Sequence, residues 1–120
     1  GVEYSCFVRP DTVLPFMVMP DAIKSLIMLE NADRGKLSQE VYNVTSFNPT
    51  ANEIYDITMA AFPDAKINFV PDKKRQGIVD TWPADTDDSA ARNDWGWQPD
   101  YNQTRAFEEY LIPSIRRQYN

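Results

Sequence analysis

The sequence of 120 residues contains no histidine and a single cysteine, Cys6. Histidine is the most common general base and metal ligand, so its absence excludes Ser–His–Asp and Cys–His catalytic sites. One cysteine excludes an internal disulfide and a thiolate metal site. We therefore expect no bound metal. A single thiol fits a reducing compartment, and we expect a cytoplasmic protein.

Glycine is scarce, and the four glycines, Gly1, Gly35, Gly77 and Gly96, are far apart. A dinucleotide site needs a glycine-rich turn between a strand and a helix, so that the backbone can approach the pyrophosphate. A P-loop is excluded by the same spacing. We expect this chain to bind no NAD or other nucleotide cofactor by itself.

Basic charge and long apolar runs are also lacking. The chain has 12 Lys and Arg against 18 Asp and Glu, a net charge of −6. This balance argues against a nucleic-acid partner, whose phosphates need clustered cations. No apolar run approaches the ~20 residues of a membrane span. The hydrophobic content of 42% is ordinary for a soluble protein, and the length predicts one domain over residues 1–120.

The residue patterns predict a small α/β or α+β lobe with short strands and about four helices. Alternation and β-branched or aromatic residues predict strands at 3–8, 41–45 and 66–70. The apolar run 14–19 is either a buried strand or an extended connector.

Two helices are predicted in the first half of the chain. Pro20 at a first helical position predicts a helix to about Asn31, with an apolar face that includes Ile23, Leu26 and Ile27. A capping box at 50–53 predicts a second helix over about 51–62, with Ile54, Ile57, Ala61 and Phe62 facing inward.

Two more helices are predicted in the second half. The acidic run 87–89 is typical of a helix cap rather than of a calcium loop, and the helix that follows ends before Gly96. Trp97 then lies where a contact back to the helix is common. Asn102 or Thr104 caps the last helix, which Pro113 should kink or interrupt.

Arg75 and Trp82 are the strongest candidates for binding a small molecule. Trp82 followed by Pro83 makes a stiff aromatic wall, and an arginine seven residues earlier can bind a carboxylate or phosphate through two N–H groups. The alternatives are that Trp82 belongs to the core and that Arg75 forms a surface ion pair, for instance with Asp72 or Asp80.

Four segments in the same order carry a resemblance to a known family: 14–23, 42–53, 75–83 and 87–97. The last two, Arg-Gln-Gly-Ile-Val-Asp-Thr-Trp-Pro and Asp-Asp-Ser-Ala-Ala-Arg-Asn-Asp-Trp-Gly-Trp, are together specific. They resemble the C-terminal lobe of the extended short-chain dehydrogenases, the NAD-dependent epimerase/dehydratase family. Within it the resemblance is greatest to the L-threonine 3-dehydrogenases.

The resemblance implies a substrate-binding lobe that closes over a separate Rossmann domain, which this chain lacks. In the complete oxidoreductase, hydride would pass from the threonine β-carbon to NAD. Thr81 and Trp82 would border the pocket for a threonine-like substrate, and Arg75 would either lie near the substrate or brace the loop. The family's catalytic Tyr with a Lys four residues later is missing, since the nearest match is Tyr101 with Arg105. The resemblance therefore implies a truncated lobe without catalytic residues.

Two further readings remain open. The chain could be a non-enzymatic interaction or small-molecule-binding module that has kept the fold and lost the chemistry. A carboxylate-based hydrolase would need paired acids, and no pair stands out. A lone lobe would also expose apolar surface, so we expect a homo-oligomer.

Overall fold

The computed structural model describes residues 2–119, which divide into two compact units. The first unit contains the segment up to Leu14 together with Asn48–Ala84. The second contains Pro15–Phe47 together with the segment from Asp85 onward. Each unit is thus assembled from segments that are distant in sequence. A single domain over residues 1–120 stays a prediction.

The elements mix short strands with helices, in agreement with the expected α/β lobe. In chain order they are β1 (Tyr4–Cys6), α1 (Met19–Glu30), a 3₁₀ turn (Arg34–Lys36), α2 (Ala51–Ala61), β2 (Ile67–Phe69), α3 (Lys73–Val79), α4 (Ser89–Trp95), α5 (Gln103–Arg105), a π-helical segment (Ala106–Leu111) and α6 (Ile112–Tyr119).

The first unit contains a two-stranded parallel sheet. β1 pairs with β2 in a register that places Tyr4 beside Ile67 and Cys6 beside Phe69. Both strands lie inside the segments predicted from the sequence. The ring of Phe69 packs against that of Tyr55 in α2, with centroids 5.7 Å apart.

Helix α2 begins with the predicted capping box. The Glu53 amide donates to Thr50 Oγ1 at 3.0 Å, and the Thr50 amide donates to Glu53 Oε2 at 2.7 Å. Two amides that have no partner within the helix are thereby satisfied. Ile54 and Ile57 are half-buried, so the inward face of the helix is only partly covered.

The second unit anchors α1 through a buried carboxylate. Asp21 is fully buried, and its oxygens accept the amides of Asp100 at 2.8 Å and Tyr101 at 3.1 Å. Lys24 donates to Asp100 Oδ1 at 2.5 Å and to the carbonyl of Gln98 at 2.8 Å. The polar side of α1 therefore holds the 98–101 segment.

Helix α4 ends as its sequence predicts. Gly96 has φ 73°, a left-handed conformation that glycine adopts without a Cβ clash. The Gly96 amide donates to the carbonyl of Arg92 and the Trp97 amide to that of Ala91, each at 3.2 Å. Trp97 is fully buried after this turn, and its Nε1 donates to the carbonyl of Thr45 at 3.2 Å.

The prediction of a strand at 41–45 is wrong. This stretch is irregular, and beside it only an isolated antiparallel bridge joins Phe47 to Phe16. The side chain of Tyr42 donates to Asp94 instead, at 2.6 Å. β-Branched and aromatic composition alone does not make a strand when no partner strand lies alongside it.

The last helix begins at the predicted cap and is modified near the proline. Asn102 Oδ1 accepts the amide of Arg105 at 2.9 Å. Six residues of π-helix, Ala106–Leu111, then precede α6, whose second residue is Pro113. The wider turns suit a proline, which has no amide to donate and crowds the carbonyl four residues before it. Within residues 2–119, no helix combines the length and the apolar composition needed to cross a membrane.

Candidate functional site

The motif at 75–83 forms α3 and the turn that follows it. No helix was predicted here. Asp72 begins the helix, because its Oδ1 accepts the amide of Arg75 at 2.8 Å. After Val79 the chain stays tightly wound, with the Thr81 amide bonded to the carbonyl of Ile78 at 3.1 Å and that of Trp82 to Val79 at 2.9 Å. All three predicted site residues therefore lie on α3 or on the turn that follows it: Arg75, Thr81 and Trp82.

The Arg75 side chain lies flat on an aromatic ring. Its guanidinium carbon is 3.7 Å from the ring centroid of Phe7, which is a close cation–π contact. Neither carboxylate suggested as its partner forms an ion pair with it: Asp72 caps the helix, and Asp80 binds Arg9. Within residues 2–119 the guanidinium has no carboxylate partner. Its N–H groups are held in place and remain available.

Trp82 is exposed rather than part of the core. Its exposed fraction is 56%, close to the 55% of Ile78. Arg75, Ile78 and Trp82 follow a spacing of three and then four residues, which places them along one side of the helix and its extending turn. We call these three residues the α3 surface. Ile78 was not singled out from the sequence, although this spacing relative to Arg75 and Trp82 was a signal for it.

Thr81 is engaged locally. Its hydroxyl donates to the carbonyl of Ile78 at 2.7 Å. The hydroxyl oxygen can still accept a hydrogen bond from a ligand, because a hydroxyl has lone pairs beyond its single donor.

A hydrogen-bond network around the buried side chain of Gln76 links α3 to the segment after β1. Gln76 is 4% exposed and uses both ends of its amide. Its Oε1 accepts the amide of Arg9 at 2.6 Å, and its Nε2 donates to Thr12 Oγ1 at 3.1 Å and to Asp80 Oδ1 at 2.7 Å. We call Arg9, Thr12, Gln76 and Asp80 the Gln76 network.

Arg9 and Asp80 complete this network with a two-pronged ion pair. Nη1 of Arg9 lies 3.1 Å from Oδ2 of Asp80, and Nη2 lies 3.1 Å from Oδ1. The hydrogen bond from Arg9, followed by that from Gln76, lowers the pKa of Asp80 below its ordinary value. The same pair raises the pKa of Arg9. Nothing in the sequence indicated this pair, because Arg9 and Asp80 are 71 positions apart.

A recess of about 440 Å³ lies beside this network. It is lined by Arg9, Pro71, Lys73, Gln76, Gly77 and Asp80. Arg9 and Asp80 already satisfy each other there. Lys73, the other cation of the recess, has no ion pair or ring contact within residues 2–119, whereas the Arg75 guanidinium is positioned by the Phe7 ring. The α3 surface therefore presents the better-ordered cation for an anionic ligand.

Within residues 2–119, the structure contains neither a glycine-rich turn between a strand and a helix nor a cluster of metal ligands. The connection from β2 to α3 is Val70-Pro71-Asp72, without glycine, so it offers no close backbone approach to a pyrophosphate. Within residues 2–119, no cluster of three or more Asp, Glu or Cys side chains is arranged to hold a metal.

The sequence of this chain is similar to those of known dehydrogenases and epimerase/dehydratases. No protein-family model matches it. It is 33% identical over 100 residues to bovine mitochondrial L-threonine 3-dehydrogenase. The matched region is 83% of this chain and 27% of the bovine protein. It is 36% identical over 114 residues to an uncharacterised epimerase/dehydratase of Staphylococcus saprophyticus, covering 94% of this chain and 35% of the other. The chain thus spans about a third or less of these relatives.

Solved structures of L-threonine dehydrogenases also resemble this chain. A GalE-like L-threonine dehydrogenase from Cupriavidus necator matches with a TM-score of 0.86 and 36% identity, over 96% of this chain and 41% of that one. A monomeric L-threonine 3-dehydrogenase from a metagenome matches with a TM-score of 0.87 and 37% identity, over 98% and 38%. The chain is therefore a homologue of the L-threonine 3-dehydrogenases and epimerase/dehydratases, and it matches the C-terminal lobe of the extended short-chain dehydrogenase family.

Proposed function

We propose that this chain is the substrate-binding lobe of an NAD-dependent oxidoreductase of the L-threonine dehydrogenase or epimerase type. The observation that carries the proposal is the geometry of Arg75. Its guanidinium is stacked on Phe7 and has no carboxylate partner within residues 2–119, in a motif that also supplies the exposed Trp82.

A small amino acid such as threonine suits this surface. Its carboxylate would bind the Arg75 guanidinium through two N–H groups. Trp82 and Ile78 would form the apolar wall beside the side chain of the ligand, and Thr81 Oγ1 would accept from the ammonium or hydroxyl group. Because the arginine is already ordered by Phe7, little side-chain entropy is lost on binding.

The lobe by itself would neither hold NAD nor transfer hydride. Its connection between β2 and α3 lacks glycine, and the sequence has neither histidine nor a Tyr with a Lys four residues later. Both functions would belong to a Rossmann domain outside these 120 residues. Residues 1–120 would then act as one substrate-binding domain.

Titration with L-threonine followed by two-dimensional NMR tests the proposal. We expect saturable shifts of the Thr81 and Trp82 amides and of the Trp82 indole, and no saturable shifts with NAD⁺. Arg75→Gln and Trp82→Leu should each weaken the binding. Arg34→Gln, an exposed arginine of the second unit, is the matched control and should leave it unchanged.

Two outcomes would contradict the proposal. One is the absence of threonine-dependent shifts at Thr81 and Trp82 in the folded wild-type chain. The other is binding that survives Arg75→Gln, because a carboxylate held elsewhere would not need this side chain.

A non-enzymatic interaction module is the second candidate. It is favoured by the large apolar side chains that α1 exposes, among them Leu26 at 69%. Surface of this kind favours association, and we propose that the chain assembles as a homo-oligomer. If the threonine titration fails while association is observed, the interaction module is the better description.

A further inference from the structure

The aromatic ring against Arg75 belongs to a residue that is bonded to the start of helix α3. The carbonyl of Phe7 accepts the amide of Asp72 at 2.9 Å, and Asp72 Oδ1 accepts the amide of Arg75 at 2.8 Å. Two hydrogen bonds therefore join the backbone of Phe7 to that of Arg75, with Asp72 between them. We call these three residues the Phe7 bracket.

The Phe7 bracket continues the parallel sheet of the first unit. Phe7 directly follows β1, and Cys6 before it pairs with Phe69 in the register of the two strands. The carbonyl of Cys6 also accepts the amide of Val70 at 2.9 Å. Cys6 and Phe7 thus each accept an amide from the connection between β2 and α3, which fixes the backbone of Phe7 relative to the start of the helix.

The Phe7 ring covers a face of the Arg75 guanidinium. The guanidinium carbon lies 3.7 Å from the ring centroid, which leaves no room for a guanidinium nitrogen between them. The five N–H groups of an arginine lie in the guanidinium plane. They therefore point away from the ring, and because Arg75 is an exposed residue, a ligand can reach them edge-on.

We propose that Phe7 is a positioning residue that makes Arg75 selective for ligands with a free carboxylate. A carboxylate has two oxygens in one plane and forms two parallel hydrogen bonds with the edge of a guanidinium. An arginine that rotates freely loses side-chain entropy when it forms this pair. The Phe7 ring holds the guanidinium in one orientation beforehand, so Phe7 acts through Arg75 from behind it.

This inference rests on the proposed function and adds a rule for the ligand. The contribution of Phe7 is confined to the carboxylate end of the ligand. In L-threoninamide that carboxylate is replaced by a neutral amide, which cannot form the two-pronged ion pair. The Phe7 ring should therefore strengthen the binding of L-threonine and not that of L-threoninamide.

Titrations with L-threonine and with L-threoninamide, each followed by two-dimensional NMR, test the inference. Phe7→Leu removes the ring but keeps an apolar side chain and the backbone carbonyl that Asp72 needs. We expect its affinity for L-threonine to fall about two- to ten-fold, the cost of ordering one long side chain, and its affinity for L-threoninamide to stay the same. Phe7→Tyr keeps an aromatic face and should bind L-threonine like the wild type.

Phe69→Leu is the matched control. Phe69 lies in the same unit and packs its ring on Tyr55 rather than on Arg75, so its loss should leave both affinities unchanged. The Hε resonance of Arg75 gives a second measurement, because protons over an aromatic face are shifted upfield. This shift should be present in the wild type, Phe7→Tyr and Phe69→Leu and absent in Phe7→Leu.

The outcomes separate this inference from the proposed function. Threonine binding that Phe7→Leu leaves unchanged overturns the role of Phe7 alone, and so does an equal loss of affinity for both ligands, which marks a structural defect. An Arg75 Hε resonance at its ordinary position in the wild type overturns the role of Phe7 without any variant. A wild-type chain that binds no L-threonine overturns the proposed function and this inference with it.

Discussion

Gln76 occupies a buried position where both ends of its amide are used. Replacing it with leucine keeps the volume and removes the bonds to Arg9, Thr12 and Asp80. The amide of Arg9 would lose its acceptor in a part-buried place, so we expect a loss of about 1–3 kcal/mol in the free energy of unfolding. Urea denaturation measures this. Gln118→Leu, at an exposed position, should change stability by no more than about 0.5 kcal/mol.

Asp80 should make the same network sensitive to acid. Its pKa is lowered in the folded state, so its ion pair with Arg9 stabilises the fold above the ordinary aspartate pKa of 3.8. That contribution is lost as pH falls through the lower folded-state pKa. We therefore expect Asp80→Asn to cost more stability at neutral pH than in strong acid.

Urea denaturation at several pH values checks this prediction, and Arg9→Gln is the control background. Without the guanidinium, the first cause of the lowered pKa is gone, so the pH dependence of the Asp80→Asn effect should shrink. An unchanged dependence would show that Arg9 does not act on Asp80 in solution.

For the three residues predicted for the site, the sequence suggested a chemical role but not the surroundings of each side chain. Arg75 and Trp82 were predicted to act as a cation and an aromatic wall, and the structure shows that Trp82 is exposed. The stacking of Arg75 on Phe7 could not be foreseen, since it joins residues that are far apart in the chain. Whether the three residues bind substrate stays a proposal.

At the scale of elements, two glycines provide a matched pair. Gly96 has a φ of 73°, whereas Gly77 lies inside α3 with a helical backbone, and an added Cβ would meet nothing within 4 Å at either position. Gly96→Ala should therefore destabilise the chain by about 1–2 kcal/mol through backbone strain alone. Gly77→Ala should stabilise it by about 0.4–1 kcal/mol, because alanine has less freedom to lose.

Thermal unfolding followed by circular dichroism measures both glycine variants under one condition. A stabilising Gly96→Ala would mean that the left-handed turn after α4 is not maintained in solution.

Helix boundaries were predictable where a local signal exists. The capping box at Thr50 and Glu53, the left-handed Gly96 and the Asn102 cap all depend on residues within one turn. The irregular 41–45 stretch depended on a more distant feature, because no strand lies beside it. Helix α3 has a local cap at Asp72 that was not recognised, and it also contains a glycine and two residues buried by the rest of its unit, Gln76 and Val79.

At the scale of the whole molecule, association should appear in thermal stability. A folded oligomer in equilibrium with monomer stabilises the native state by mass action, so the Tm should rise with protein concentration. Differential scanning calorimetry at several concentrations measures this. The Tm of Leu26→Asp, which places a charge among the exposed apolar side chains of α1, should be independent of concentration. The Tm of Val41→Asp should follow the wild type, because Val41 is 78% exposed in the same unit but lies outside α1. A constant wild-type Tm would argue against the proposed homo-oligomer.

The sequence by itself determined the capping box of α2, the left-handed turn at Gly96, the Asn102 cap, the segments that contain β1 and β2, and the family. These depend on short-range hydrogen bonds, on alternation and on motifs that keep their order. Only the tertiary structure decided which side of α1 is covered and that Asp80 forms its ion pair with Arg9 rather than with Arg75. It also decided that Gln76 is buried, with hydrogen bonds to both Arg9 and Asp80. Burial and pairing are set by residues far apart in the chain, and no local pattern encodes the partner that a side chain will meet.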